Sequence, residues 1–361
     1  MNSIVYKADP EPWARFCHDV EGVPFFYCPS WQTYRTAYSR FMVEDLSFTV
    51  CHENSPIAIV PLLLENVSGE SQISDANGFM RAPVFRGDLG AHLLKKARNY
   101  VMAEIDRLAH EKQARLCMLC IDPARQKIAG DTCNWLMQYG YLDTSLNTQM
   151  IDLRPALPLL HQNLRKRYVS LINKAKRTYR FVLHDYSNPD FHAHECYREL
   201  HHKAAGRVTR PLSTFNTQFE MLKTDCAMLL GAMHEGQWIA FNYFHHHGGT
   251  AYYASASDDF DANAIPCPVS HALMWAAIEY YKQRNFAFFE TGLQQYSTQW
   301  CDAPLKKDID ISWYKSGFGG ETVPFYRGVK YYSPDRLAAD LKAAMERCES
   351  AYFEERPVQN E

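Results

Sequence analysis

The sequence predicts an α/β (α+β) chain of two tandem domains, each a mixed β-sheet flanked by helices. Three observations carry that prediction. The chain has 361 residues, beyond the roughly 250–300 at which one hydrophobic core stops growing. Apolar hairpin runs alternate with long helical stripes. The pattern then restarts near residue 150 and repeats the earlier element order.

In the first half, Val23-Pro24-Phe25-Phe26-Tyr27-Cys28-Pro29-Ser30-Trp31 reads as a loop. Ser30 is placed to cap a short helix reaching Tyr38. The runs Leu46 to His52 and Ile57 to Leu64, joined by Glu53-Asn54-Ser55-Pro56, form a predicted hairpin. Leu93, Leu94, Ala97, Val101, Ile105 and Leu108 mark a helix over Gly90 to Glu111, and Leu116 to Ile121 reads as a buried strand.

In the second half, Leu164, Tyr168, Leu171, Ile172, Ala175 and Tyr179 form a helical stripe, and a helix is expected over Phe191–Ala205. A hairpin joins Met228–His234 to Trp238–His246, followed by strand Thr250–Ser257, helix Ser270–Arg284 and strand Phe286–Glu290. Ser333-Pro334-Asp335 starts a capped terminal helix, with Pro at its first position. The matched pairs His52-Glu53 and His234-Glu235 stand 182 positions apart, and the helices at His92 and His271 stand 179 apart. The expected boundaries are 1–155, 156–332, and 333–361 for a C-terminal helix and tail.

Composition narrows the class of protein. Lys and Arg number 38 against 41 Asp and Glu, a net charge of −3, which disfavours a nucleic-acid-coating protein. The longest apolar run, Ile57 to Leu64, contains Pro61 and is far short of the ~20 residues that span a bilayer. No charged segment followed by an apolar stretch opens the chain. The 11 cysteines are an odd number in apolar contexts such as Leu116-Cys117-Met118-Leu119-Cys120, which fits reduced thiols. A soluble cytoplasmic protein without a membrane span is expected.

Four stretches carry candidate chemistry. His161 to Leu183 holds Arg165, Lys166, Arg167, Lys174, Lys176, Arg177 and Arg180 with no acid, a pattern that fits phosphate binding and equally a solvated helix face. His202, Arg207 and Arg210 flank a sharp turn at Gly206, where guanidinium groups hold carboxylate or phosphate. Tyr252, Tyr253, Ser255 and Asp258 lie on one strand, with phenols able to donate a proton. Glu290 closes a buried strand ahead of Thr291-Gly292-Leu293-Gln294, and a carboxylate there needs partners. Glu290 is the general-base candidate, against a purely structural ion pair. No metal is expected: Cys117 and Cys120 face opposite ways on a strand, and His245-His246-His247 alternates.

In their order these segments resemble the GNAT-like acyltransferase domain of the FemAB/FemX type, also described as BioF2-like. The resemblance runs through Leu164-Arg165-Lys166-Arg167, Gly206-Arg207-x-Thr209-Arg210-Pro211 and Ala251-Tyr252-Tyr253-x-Ser255-Ala256-x-Asp258. It continues through Pro268 ahead of Trp275, Phe289-Glu290-Thr291-Gly292, and Ile311-Ser312-Trp313-Tyr314-Lys315-Ser316-Gly317-Phe318-Gly319-Gly320. It covers about residues 10 to 330. It implies two tandem GNAT-like domains with substrate between them, and acyl or aminoacyl transfer to an amine.

The resemblance also assigns roles. Lys315, in the Lys-x-x-Phe-Gly position, is implied in the active site, where a cation stabilises an oxyanion. Glu290 and Tyr253 complete the expected catalytic set. Arg207, Arg210, Tyr252, Ser255, Asp258, Gln294 and His202 are expected to bind substrate. Pro268, Ser270 and His271 fall where the donor pyrophosphate would meet a helix N-terminus. Neither Arg86-Gly87-Asp88-Leu89-Gly90-Ala91 nor Ile265-Pro266-Cys267-Pro268-Val269-Ser270 reproduces the glycine pattern of coenzyme-A-binding relatives.

The leading expectation is therefore an N-acyltransferase acting on an amine of a sugar nucleotide or similar cell-envelope precursor. The acceptor is a phosphate-bearing small molecule, and the donor is acetyl-CoA, another acyl-CoA, or an aminoacyl-tRNA. A FemX-like aminoacyl-tRNA-dependent peptidyltransferase and a non-catalytic binding module are the alternatives.

Overall fold

The computed structural model describes residues 1–259 and 266–354. Their strands form three sheets. An antiparallel sheet orders Asn2–Val5, Phe48–His52, Ser55–Val60 and Val84–Phe85. A seven-stranded sheet orders Leu142–Asp143, Arg327–Tyr331, Leu116–Cys120, Glu70–Ile73, Leu63–Val67 and Met42–Asp45, with Met80–Arg81 also paired to Leu116–Cys120. The second-half sheet, also seven-stranded, orders Arg180–His184, Ala227–His234, Gln237–His247, Thr250–Asp258, Phe288–Gln294, Leu146–Asp152 and Glu321–Phe325.

Helix Ala91–Glu111 buries Ala97, Val101, Ile105 and Ala109, one residue per turn, against the first-half sheets. Its counterpart Ser270–Gln283 buries Leu273, Met274, Ala277, Ile278 and Tyr281 against the second-half sheet. Helix Lys166–Thr178 inserts Tyr168, Ile172 and Ala175 into the same core and leaves Lys166, Arg167, Lys174 and Arg177 exposed.

The two hairpins repeat each other in detail. Glu53 (φ 50) and Asn54 (φ 65) turn the first, and Glu235 (φ 48) and Gly236 (φ 82) turn the second. Positive φ at both central residues is the signature of a type I′ turn, whose twist matches that of the strands. Each hairpin then bulges at the same place. Pairing skips from Val50/Ala58 to Cys51/Pro56 in the first and from Ala232/Ala240 to Met233/Trp238 in the second. The extra residues are Ile57 and Ile239, again 182 positions apart.

The halves also exchange strands. Leu146–Asp152, before the expected boundary, lies between Phe288–Gln294 and Glu321–Phe325 in the second-half sheet. Arg327–Tyr331 returns to lie between Leu142–Asp143 and Leu116–Cys120 in the first-half region. Each half is thus completed by a strand from beyond its own stretch of chain.

Three sequence expectations change. The short N-terminal helix spans Pro29–Tyr38, with Cys28 at its N-cap and Pro29 in its first turn, so Ser30 is not its cap. Helices Leu212–Lys223 and Lys306–Ser316 were not anticipated. The strand expected to end at Glu290 runs on to Gln294, because antiparallel pairing with Leu146–Asp152 continues past it.

Candidate functional site

Thr250–Asp258 and Phe288–Gln294 pair in parallel over three rungs, Thr250/Phe288, Ala251/Phe289 and Tyr252/Glu290. Beyond Tyr252 and Glu290 each strand bonds only to its outer neighbour, so the sheet opens between them. A bulge at Thr291 and a left-handed Gly292 (φ 104) bend one lip of the opening. The positive φ favours glycine there, and an added Cβ would sit 2.7 Å from Lys315 Nζ, the mobile end of that side chain. The lysine ammonium is thereby packed against the backbone at the mouth of the split.

Beside the opening, a cavity of about 530 Å³ separates the halves. Trp31, Tyr34, Asp75 and Arg81 form its first-half wall, and Arg210, Tyr252, Tyr253 and Ser255 its second-half wall. The halves are pinned together around it. Arg210 donates to Tyr34 Oη (2.6 Å), Tyr197 Oη (3.0 Å) and Gln218 Oε1 (2.9 Å), and lies 4.2 Å over the Phe215 ring. Tyr197 is in turn hydrogen-bonded to Ser255 Oγ at 2.5 Å.

Behind this wall lies a cluster of buried charge. Glu290 accepts a hydrogen bond from Thr148 Oγ1 at 2.7 Å and is 8% exposed. Burial, reinforced by the negative charge of Asp122, pushes its carboxyl up to about 7, while Arg81, Thr148 and Lys315 pull it down. Asp122 caps helix Pro123–Ala129 by accepting from Ala124 N and Arg125 N, and lies 3.5 Å from Arg81 Nη1. Tyr252 Oη donates to Asp122 Oδ1 at 3.4 Å. Burial also lowers the Lys315 pKa, opposed by the charge of Glu290. Two carboxyls and two cations thus share one low-dielectric region, which makes their protonation mutually dependent.

The structure brings some expected residues together and separates others. Tyr252, Tyr253, Ser255 and Arg210 line the inter-half cavity. Glu290 and Lys315 do not line it, and Glu290 is within electrostatic reach of the wall residues Arg81 and Tyr252. Arg207 is exposed on its loop and lines none of the described cavities. His202 packs edge-on to Phe215 at 5.3 Å, with its pKa lowered by burial. Asp258 is pushed up to about 6 by burial alone. Gln294 is buried with Oε1 unpartnered.

His271, at the start of helix Ser270–Gln283, packs against Tyr168 (4.3 Å) and Tyr314 (5.1 Å), and burial lowers its pKa to about 4. Pro268 is exposed. Ile265, which opens that segment, lies outside the described residues. In the first half Arg86 is held bidentately by Asp88 at 2.9 and 2.6 Å.

Sequence reasoning passed over Arg81, Asp122, Asp75 and Arg327. Asp122-Pro123 directly after an apolar strand is a capped helix start and was legible as such. Arg81, on a two-residue strand, carries no local signal. Among the described residues no group of three or more His, Cys, Asp or Glu side chains is placed to hold a metal ion, and no helix is long and apolar enough to cross a membrane.

No protein-family model matches the chain, and no curated protein matches it in sequence. Solved structures do match. FemX is similar at a TM-score of 0.65 and 12% identity, over 94% of this chain and 99% of that one. L-PGS from Bacillus licheniformis follows at 0.57 and 13%, over 96% and 98%. The C-terminal domain (DUF2156) of a protein named as a lysylphosphatidylglycerol synthetase from Agrobacterium fabrum matches at 0.55 and 13%, over 98% and 99%. The chain therefore has the fold of FemX and of these two further structures.

Proposed function

We propose that the protein transfers an acyl or aminoacyl group to the amine of a phosphate-bearing acceptor, with the acceptor bound in the cavity between the halves. The observation that carries this reading is the sheet opening past Tyr252 and Glu290, with Lys315 Nζ held at its mouth beside that cavity. A carbonyl placed in the opening would meet a cation in a poorly hydrated setting, where charge stabilisation is strongest.

In this reading the neutral amine attacks the acyl carbon, forming the C–N bond. Lys315 stabilises the oxyanion of the tetrahedral intermediate, and Glu290 holds Lys315 in its charged form. The proton released by the amine passes to Glu290 through water, since Glu290 does not line the cavity itself. A carboxyl near 7 is matched to that task at neutral pH. Collapse breaks the bond to the donor sulfur or oxygen, and Tyr253 on the cavity wall supplies the proton to the departing group. Arg210, held by Tyr34, Tyr197 and Gln218, contributes positive charge to the cavity wall.

Acyl-CoA is the donor tested first, with a UDP-amino sugar as acceptor. Stabilisation in a thermal-shift assay by acetyl-CoA and the amino-sugar nucleotide, each alone and further together, followed by acetylated product, supports the reading. Stabilisation by acceptor alone, with no product from any donor, would replace it with a binding module.

An aminoacyl-tRNA donor is the second reading. Among the described residues, Lys176 is the one of the seven basic residues from Arg165 to Arg180 that makes an ion pair, with Glu279, and Lys166, Arg167, Lys174, Arg177 and Arg180 are left as an exposed cationic face for a phosphate backbone. One of the similar structures is also named as a lysylphosphatidylglycerol synthetase domain. Retention of aminoacyl-tRNA at low salt that falls steeply with added salt, together with product, would favour this donor.

A further inference from the structure

The inter-half cavity contains a second set of groups that the scheme above does not use. Asp75 begins the turn Asp75–Gly78, closed by reciprocal backbone hydrogen bonds of 3.1 and 2.9 Å. Ala76 (φ 51) and Asn77 (φ 62) are left-handed in it, a conformation that costs an alanine roughly 1 kcal/mol or more. Buried Glu65 holds the turn against that cost. It accepts from Ala76 N (2.9 Å), Asn77 N (2.8 Å), Ser39 Oγ (2.6 Å) and Ser74 Oγ (2.5 Å). One carboxylate is thus wholly committed to presenting another. The presented one, Asp75, faces the cavity, and among the described residues its carboxylate makes no hydrogen bond or ion pair. Arg35 and Arg81 are the cations nearest in effect, yet Arg35 is bonded to Ser47 and Arg81 to Asp122.

Across the same cavity Arg327 is the complement. Its strand position pairs with Cys120, which also pairs with Arg81, so the two arginines flank one residue on adjacent strands. The Arg327 guanidinium lies 4.5 Å over Phe79, next in sequence to the Asp75–Gly78 turn. Its Nε donates to Thr144 O at 2.5 Å, and among the described residues its terminal nitrogens have no hydrogen-bond partner. Trp31, Tyr34 and Tyr38, stacked in series at 4.9 and 5.6 Å, complete the wall. Aromatic faces beside a bare carboxylate attract an ammonium group, and an unpaired guanidinium edge attracts an anion.

We propose that Asp75 binds the ammonium group of the acceptor and Arg327 an anionic group of the same molecule, so that the cleft selects amine-bearing anions. The inference rests on the transferase reading only in calling that molecule the acceptor; the binding itself requires no donor.

Calorimetric titration without donor tests it, using two matched pairs: glucosamine 6-phosphate with glucose 6-phosphate, and O-phosphoethanolamine with ethyl phosphate. The wild-type protein is expected to bind at least one amine about tenfold more tightly than its partner, equivalent to about 1.4 kcal/mol. Asp75→Asn should erase that preference while leaving the amine-free compound unaffected. Because the Asp75 carboxylate holds nothing in the fold, the variant's melting temperature should match wild type. Arg327→Lys should weaken both members of a pair by the same factor, and Arg327→Gln by more. Binding of neither pair, equal affinity within both, or a preference surviving Asp75→Asn would overturn the proposal. A preserved amine preference with no product from any donor would instead overturn the transferase reading and leave this one standing.

Discussion

Tyr252 and Glu290 form the last rung of the parallel ladder at the centre of the second-half sheet, and the strands separate immediately beyond them. One of the pair faces Asp122 and the cavity, and the other is the buried carboxyl whose charge depends on Lys315 and Arg81. The geometry of the opening and the electrostatics behind it therefore meet at one register position.

Glu290 makes stability depend on pH in a defined direction. Its carboxyl is raised from 4.5 to about 7 in the folded protein, so the folded state binds the proton more tightly than the unfolded chain. The stabilisation is complete below about 4.5 and is lost as pH rises through about 7. By the shift alone it amounts to about 3 kcal/mol, shared with Lys315 and Arg81. Urea unfolding at pH 5 and pH 7.5 should show a loss in the wild type that Glu290→Gln lacks, with the variant also losing roughly 10²–10⁴ in kcat. Identical pH slopes for the two proteins would contradict the buried-carboxyl assignment.

Arg210 and Arg207 should part company experimentally. Arg210→Ala leaves Tyr34, Tyr197 and Gln218 without their shared donor, at a cost of about 3 kcal/mol by chemical denaturation. Arg207→Ala removes an exposed side chain and should stay within about 0.5 kcal/mol. Equal effects would show that the loop packs differently.

Gly292→Ala probes the position of Lys315. The left-handed backbone there resists any side chain, and the new methyl would displace the lysine ammonium. We expect a loss of about 1–3 kcal/mol in stability and a kcat loss near that of Lys315→Met. Full activity in a folded variant would remove Lys315 from the reaction centre.

Strand exchange makes the halves interdependent. A fragment of residues 1–155 would lack Arg327–Tyr331 beside Leu116–Cys120, and would carry Leu146–Asp152 with no partners. It should show no cooperative thermal transition by circular dichroism, whereas the full chain should unfold in one. A sharp transition in the fragment would show that exchange is dispensable.

Particular residues show how much was legible in advance. The first hairpin was readable because Glu53-Asn54-Ser55-Pro56 stands between two apolar runs, and the structure narrows its turn to Glu53-Asn54, matched by Glu235-Gly236 in the second. The long helices were readable because one apolar residue per turn is a local pattern, as at Ala97, Val101, Ile105 and Ala109. Tyr252, Tyr253, Ser255 and Glu290 were singled out from their segments and Lys315 through the resemblance, and two strands and a helix carry them to the two sides of the cavity wall. Arg81 and Asp75 were not, since neither stands in a periodic or motif context.

By itself, then, the sequence determined the long helices, the paired hairpins and the doubled element order, because periodicity and turn chemistry act over a few residues, while the family of folds came from the resemblance of its ordered motifs. Only the tertiary structure decided which strands complete each sheet, where the parallel pair opens, and which charges are paired. Those outcomes depend on contacts between residues far apart in the chain, such as Arg81 with Asp122 and Tyr34 with Arg210. Burial settles the rest: Glu290 and Asp75 are both carboxylates in sequence, but Thr148 and the neighbouring charges enclose the first, whereas the second is left facing the cavity.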